Sequence, residues 1–427
     1  MGAFIWLLAA LFFLYEFFLR TFLGSLSEQI MHDLSLNAEQ FSLLATAYYI
    51  TYAIMQVPVG FITDRFGVKW VLFVAAGIAA AGMLLFASAT DFYTAFIYRI
   101  MMGFGSSFAF VCLLVIVYEW FPPAVFALII GASQLIGTMG PTLAGRPLVW
   151  LMELEGSWRE TVLYIGIAGI VLSFLILLFV KNREGSVKDE TRELTIPKPT
   201  KEKLIQLGTN RQAWLIACFS ALIYTALAVF GAEWGTRYLQ TRGFTQSDAS
   251  LTVSILWLGY AFGCPALGAI SDAWKRRSAI LSLGSFLGLL AILAIVFMPV
   301  AWHALFYVGY FALGIATASS SVAFATIAEK VPSNIRASAL GLNNCLIMMA
   351  GGLMSPVIGA LIDYSAGPSA QYYISQDFFS SMVLLMFFMV GAFVISFFFI
   401  RETFAKPQKE WIVIGKQSKN SGPPAAH

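Results

Sequence analysis

Glu16 and Arg20 stand four residues apart inside an apolar opening run, MGAFIWLLAALFFLYEFFLRTFLG. At 3.6 residues per turn, that spacing sets both charges on one helical face. The run is long enough to cross a bilayer, and there each charge alone costs at least about 2.5 kcal/mol. Two readings follow. One is a structural ion pair that neutralises itself. The other is a binding site: Arg20 offers a planar donor fork to a substrate carboxylate, and Glu16 meets a substrate ammonium or a coupling proton.

Other polar side chains fall in the middle of apolar runs. Tyr48, Tyr52 and Gln56 share the second run, Gln134 the fifth, Tyr224 the seventh and Asn344 the eleventh, while Ser319, Ser320 and Ser321 interrupt the tenth. Singly, each reads as a hydrogen bond between helices; together they outline a polar cavity. Trp257 and Tyr260 read as packing or interfacial aromatics. Arg99 lies toward the outer part of the fourth run and Arg146 late in the fifth. A snorkelling anchor suits Arg146; Arg99 is either such an anchor or a charge that needs a partner or water inside the span.

Enzyme chemistry is not indicated. His32, His303 and His427 are scattered, and Cys112, Cys218, Cys264 and Cys345 show no paired spacing. The sequence holds no phosphate-binding loop or nucleophile elbow. No cofactor or metal is expected, and a net charge of +3 gives no footprint for nucleic acid.

The elements that position these residues follow from composition. The 427 residues are 59% hydrophobic and 11% charged, with a mean hydropathy of +0.79. That is too little charge to solvate an ordinary globular surface. Twelve apolar runs of spanning length are expected over 4–27, 39–62, 70–89, 93–118, 125–149, 160–180, 212–232, 246–268, 278–300, 302–328, 337–362 and 378–400. A polar segment, 181–211, divides them six and six, giving bundles at 1–180 and 212–400 and a tail at 401–427. Most of the 26 Lys and Arg lie in segments that share one side if both termini are cytoplasmic. The exceptions are Arg20, Arg99, Arg146, Arg159, Arg237 and Arg242. The first run lacks a basic lead and a small-residue cleavage site, so it reads as a retained span.

The halves echo each other. Gly60-Phe-Ile-Thr-Asp64-Arg65 matches Gly268-Ala-Ile-Ser-Asp272, Glu119-Trp-Phe-Pro122 matches Glu329-Lys-Val-Pro332, and Gly140-Pro141 matches Ser355-Pro356. Gln134 and Asn344 are related in the same way. Internal repeats of this kind mark secondary transporters, whose sites lie at the bilayer midplane between repeats.

The loops GFITDRFGVKW and GAISDAWKRR resemble the motif-A loops of the major facilitator superfamily. Arg99-Ile-Met-Met-Gly103-Phe-Gly105 resembles its motif B, which implies that Arg99 acts on a neighbouring acid during proton transfer, and Gly131 with Gly137-Thr-Met-Gly140-Pro141 resembles its motif C. Tyr15-Glu-Phe-Phe-Leu-Arg20, Tyr48-Tyr49 and Met55-Gln56-Val-Pro58 look like a bacterial branch similar to lysosomal dipeptide transporters and phagosomal nutrient transporters. Where the dipeptide branch would carry a Glu after the glycine pair and an Arg in span 5, this chain has Ser106-Ser107 and Leu135.

The resemblance implies an all-α membrane fold of twelve helices in two pseudo-symmetric bundles. It implies a cytoplasmic latch in which Gly60 allows close approach, Asp64 accepts from a facing helix end, Arg65 pairs with Glu119, and Asp272 is the second-half counterpart. Lys275, Arg276 and Arg277 read as loop charge placed by the positive-inside rule. The function expected is a monomeric, proton-coupled transporter of an amino acid, short peptide or organic acid in a bacterial inner membrane. An exporter of drugs or siderophores and a non-transporting membrane sensor are the alternatives.

Overall fold

The computed structural model describes residues 2–121, 126–181, 201–299, 302–332, 335–367 and 373–402. Most of the expected linker, and the expected tail beyond Glu402, lie outside the described residues. The described chain is helical throughout its ordered elements, with no strand among them.

In the first half the order is α1 (Gly2–Ser25), α2 (Ser27–Asp33), α3 (Ala38–Phe66), α4 (Val68–Ala87), α5 (Phe92–Ser106), α6 (Ala109–Trp120), α7 (Phe126–Leu143), α8 (Arg146–Glu155) and α9 (Trp158–Phe179). In the second it is α10 (Lys201–Gly208), α11 (Arg211–Leu227), α12 (Gly235–Thr241), α13 (Gln246–Trp274), α14 (Arg277–Phe297), α15 (His303–Thr317), α16 (Ser319–Lys330), α17 (Arg336–Ala366) and α18 (Phe379–Val394). α11 runs on as a π-helical turn over Ala228–Glu233, and α18 as another over Ile395–Phe399.

Each of the twelve expected spans falls on one of these helices or on a consecutive pair. Ten described segments are long and apolar enough to cross a membrane. α3 is not among them, because it devotes positions to Tyr48, Tyr49, Tyr52 and Gln56. The fourth and tenth spans each break in the middle, at Ser107-Phe108 and at Ala318, which are equivalent places in the repeat. The fifth span is shorter than its apolar run: α7 ends at Leu143, and the chain restarts as α8 after Ala144-Gly145. Helix starts follow local chemistry. The Asn37 carboxamide accepts from the Gln40 amide at 2.8 Å to cap α3, and the Asp91 carboxylate accepts from Thr94 at 3.0 Å to cap α5.

Within the first half α1 packs on α6 and α7, and α4 on α5 and α9. Within the second, α13 and α14 pack on α15, and α11 on α16, α17 and α18. The seam between halves is α3 against α17, α7 and α8 against α13, and α1 against the π-turn of α11. Four helices at this seam, α3, α7, α13 and α17, each hold an internal proline: Pro58, Pro141, Pro265 and Pro356. A helical proline leaves the carbonyl four residues earlier without its amide. For Pro356 that carbonyl is Gly352, and it accepts instead from Thr46 Oγ1 of α3 at 2.7 Å.

One end of the seam is shut. Gln246 Nε2 donates to the Ser25 carbonyl at 3.0 Å, and Arg237 pairs with Glu28 at 3.1 Å. Asp363 of α17 accepts from the Ala38 and Glu39 amides at 3.1 and 2.9 Å, capping α3 from the other half. Ser254 Oγ donates to the Thr142 carbonyl at 3.0 Å. Glycines let the backbones meet here: a Cβ on Gly24 would stand 2.7 Å from the Ala232 carbonyl oxygen, and one on Gly359 2.5 Å from that of Ala38. We call this the closed end. The opposite end, where Arg65 and Arg277 lie, is the basic end.

Candidate functional site

Midway along α1, Glu16 is fully buried and Arg20 is 3% exposed. The Arg20 guanidinium donates through Nη2 to Glu16 Oε1. The Tyr48 hydroxyl of α3 is placed to donate to the same carboxylate oxygen at 3.1 Å or to the Glu16 carbonyl at 3.0 Å. Aromatic faces enclose the cation: the Phe17 ring lies 4.3 Å from the guanidinium carbon and the Tyr52 ring 5.0 Å. Such contacts hold a cation without neutralising it. Tyr224 of α11 brings the second half to the same guanidinium. Glu16 Oε2 and Arg20 Nε have no hydrogen-bond partner among the described residues. A buried ion pair with spare donor and acceptor capacity can exchange its partner for a ligand carboxylate.

Tyr48, Tyr52 and Tyr224 therefore converge on the Glu16–Arg20 pair. Gln56 and Asn344 meet each other across the seam, with Asn344 Nδ2 donating to Gln56 Oε1 at 3.4 Å. Gln134 is half-buried on α7 and forms no side-chain hydrogen bond among the described residues. Trp257 and Tyr260 are not at a membrane interface. Trp257 is buried and donates to the Gly231 carbonyl at 2.8 Å, and Tyr260 packs edge-on against both Trp257 and Tyr224.

Arg99 is fully buried and does not snorkel. Its Nη1 donates to the Leu19 carbonyl at 2.6 Å and its Nε to the Leu44 carbonyl at 3.1 Å. Tyr48 covers it at 4.7 Å. Arg99 thus ties the backbone beside Arg20 to the backbone one turn before Tyr48, and so positions the cluster. Arg146 pairs with Glu153 at 3.2 Å.

The gating residues sit at the basic end. Gly60 and Asp64 lie in the last turns of α3, and their side-chain settings are outside the described residues. Arg65 is exposed, its guanidinium 5.4 Å from the Phe66 ring. Glu119 is half-buried near the end of α6. In the second half, Arg277 corrects the reading of it as loop charge. It donates to Asp272 at 2.6 Å and to Glu329 at 3.0 Å, joining the ends of α13 and α16.

Sequence reasoning missed Glu233. The expected seventh span stops one residue short of it, yet Glu233 is 3% exposed. Ser355 of α17 donates to its Oε2, and Oε1 has no hydrogen-bond partner among the described residues. Its neighbour Trp234 is fully buried and donates to Ser42 Oγ of α3 at 3.1 Å. A helical count carried past the acidic residue to the bulky Trp234 would have kept Glu233 inside the span.

A surface groove of about 760 Å³ runs between α14 and α18 near the basic end, lined by Trp274, Arg276, Phe286 and Phe397 among others. It shares no residue with the Glu16–Arg20 cluster, which is enclosed.

Comparison with known proteins bears on this arrangement. The Major Facilitator Superfamily model matches residues 7–356 and, again, 235–421. A hexuronate transporter of Bacillus subtilis (strain 168) is 28% identical over 252 residues, 58% of this chain and 60% of that protein. The alignment therefore spans well under two thirds of that relative. A hexuronate transporter of Escherichia coli (strain K12) is 23% identical over 398 residues, 88% of this chain and 89% of that protein. In fold, the chain matches the crystal structure of a bacterial homologue of the human lysosomal transporter Spinster, inward-facing and occupied. The TM-score is 0.79 at 17% identity, covering 92% of this chain and 96% of the other.

Proposed function

The chain belongs to the major facilitator superfamily, and on that premise we propose that it is a proton-coupled, alternating-access transporter of a small organic carboxylate of the sugar-acid type. The observation that carries this reading is Arg20: a guanidinium buried inside the first spanning helix, held by one exchangeable carboxylate and two aromatic faces. A substrate carboxylate takes the place of Glu16 on Arg20, and the tyrosine hydroxyls of Tyr48, Tyr52 and Tyr224 serve its hydroxyl groups. Displaced Glu16 is left buried without a cation and takes up the coupling proton, since an unpaired buried carboxylate is costly. Relatives that carry hexuronates support a hydroxylated acid over a dipeptide, as does the absence of the dipeptide-type Glu at Ser106-Ser107. The six-helix halves over 1–180 and 212–400 rock about the Arg20 cluster, with the basic end in the cytoplasm of a bacterial cell, as its Lys and Arg content favours.

The test is counterflow of radiolabelled D-glucuronate in proteoliposomes. Arg20→Lys keeps the charge and loses the planar fork. Losing one hydrogen bond to a charged partner costs about 1.5–3 kcal/mol, so affinity should fall at least about tenfold. A lysine variant that binds and exchanges like the parent would remove Arg20 from the site.

A further inference from the structure

We propose that Glu233 is a second proton-binding site, separate from the substrate cluster, whose protonation locks the closed end. This rests on the transporter reading above but concerns a different carboxyl group.

Glu233 ends the π-helical turn that follows α11, the segment against which α1 closes. Its Oε2 accepts from Ser355 Oγ of α17, and the Ser42 hydroxyl of α3 lies beside it. The π-turn and α17 belong to the second half and α3 to the first, so this carboxyl group lies where the two halves must part. Among the described residues that group forms no ion pair, and its Oε1 has no hydrogen-bond partner.

The groups facing it do not neutralise it. α1 presents the backbone of Gly24, and α17 the hydroxyl of Ser355. Arg237 of α12 is held by Glu28 at 3.1 Å. Tyr49 of α3 and Arg99 of α5 are the titratable and charged side chains whose fields reach Glu233. Arg99 is committed to the Leu19 and Leu44 carbonyls. A buried carboxylate with only hydroxyl company is unfavourable, whereas a carboxylic acid gains a donor for an idle acceptor. Opening exposes the group to water and favours the carboxylate. The closed state therefore holds a proton that the open state releases. By linkage, the closed-to-open ratio falls as pH rises, by up to about tenfold per pH unit for one proton.

The experiment needs no substrate. Glu16 is present in every variant, so a pH response that survives in Glu233→Gln belongs to another group and not to Glu233. Spin labels at His32→Cys and Ser247→Cys, one in each half at the closed end, report the distance between halves in the full-length chain in nanodiscs, with the native cysteines replaced. We expect the long-distance population of the parent to rise at least tenfold between pH 5 and pH 8. Glu233→Gln should stay closed with less than a twofold change, and Glu233→Asp should keep a pH response. A parent population that ignores pH would overturn the proposal, and so would a Glu233→Gln chain that responds like the parent. If Glu233→Gln does not fold, Ser355→Ala decides: it removes the hydroxyl donor and should shift the pH midpoint, and an unmoved midpoint counts against the lock. Loss of pH response with intact D-glucuronate counterflow sets this result apart from failure of the transport reading.

Discussion

Gly24→Ala is the sharpest probe of how the closed end works. A Cβ on Gly24 would stand 2.7 Å from the Ala232 carbonyl oxygen and 2.9 Å from that of Glu233, both backbone atoms of the other half. Ordinary contact begins at 3.4 Å, so α1 and the π-turn must part by roughly 0.7 Å. Neither atom can swing aside, because both are fixed in a helical turn. Inserting a methyl group where nothing yields costs about 1–3 kcal/mol. That cost falls on the closed state alone, since opening separates the two backbones. The gain of about 1 kcal/mol from replacing a helical glycine by alanine is the same in both states and cancels. The closed-to-open ratio should fall about 5- to 150-fold. Ser25→Cys, 3% exposed in the parent, reads this as the rate of labelling by a membrane-impermeant maleimide in intact cells, with the four native cysteines replaced. Gly208→Ala, at the end of α10 and with nothing within 4 Å of the added carbon, is the control and should leave the rate unchanged. An unaltered rate in Gly24→Ala would refute the claim that this contact gates the end. Labelling only after permeabilisation would place the closed end in the cytoplasm instead.

Two further outcomes follow from the polar network. Arg99→Met removes the charged donor that ties the Leu19 and Leu44 carbonyls together and should destabilise the detergent-solubilised protein by about 3 kcal/mol; a thermal midpoint within 1 °C of the parent would count against the positioning role. Arg277→Ala breaks pairs whose carboxylate partners are 63% and 30% exposed, so solvent screening limits the loss to about 1 kcal/mol or less per pair. D-glucuronate affinity should not change, and a tenfold fall in it would show that the basic end reaches the substrate cluster.

The helices were legible because spanning segments announce themselves by length and apolarity, and each expected run lies on described helix. Their interruptions were only partly legible. The serines at 319–321 marked the break in the tenth span, but Ser107-Phe108 and Ala144-Gly145 lie in apolar surroundings where only packing decides. At the site, Glu16 and Arg20 were visible because charge in an apolar run has few explanations. Arg99 was visible as a residue, but its two carbonyl partners on α1 and α3 are long-range facts. Glu233 was hidden by its place at the end of a run. An acidic residue there reads as loop, and what buries it is Trp234, Ser42 and Ser355, drawn from three distant stretches of chain. Arg277 was misread for a similar reason: three basic residues in a row look alike until one of them finds Asp272 and Glu329.

The prolines of α3, α7, α13 and α17 have a mechanical consequence. Each omits one rung from its helix's ladder of amide bonds, and each lies in a member that faces the opposite half. A rod missing a rung bends more easily there than a continuous one. The flanking helices α4, α9, α14 and α18 contain no proline within their bounds and are correspondingly stiff. Compliance is thus concentrated in the members that must slide past one another, and the outer frame keeps its shape. At Gly352 the freed carbonyl is tied to Thr46 across the seam, so the soft point of one half is clamped by a hydroxyl of the other. Releasing that clamp slackens the spring as the halves part.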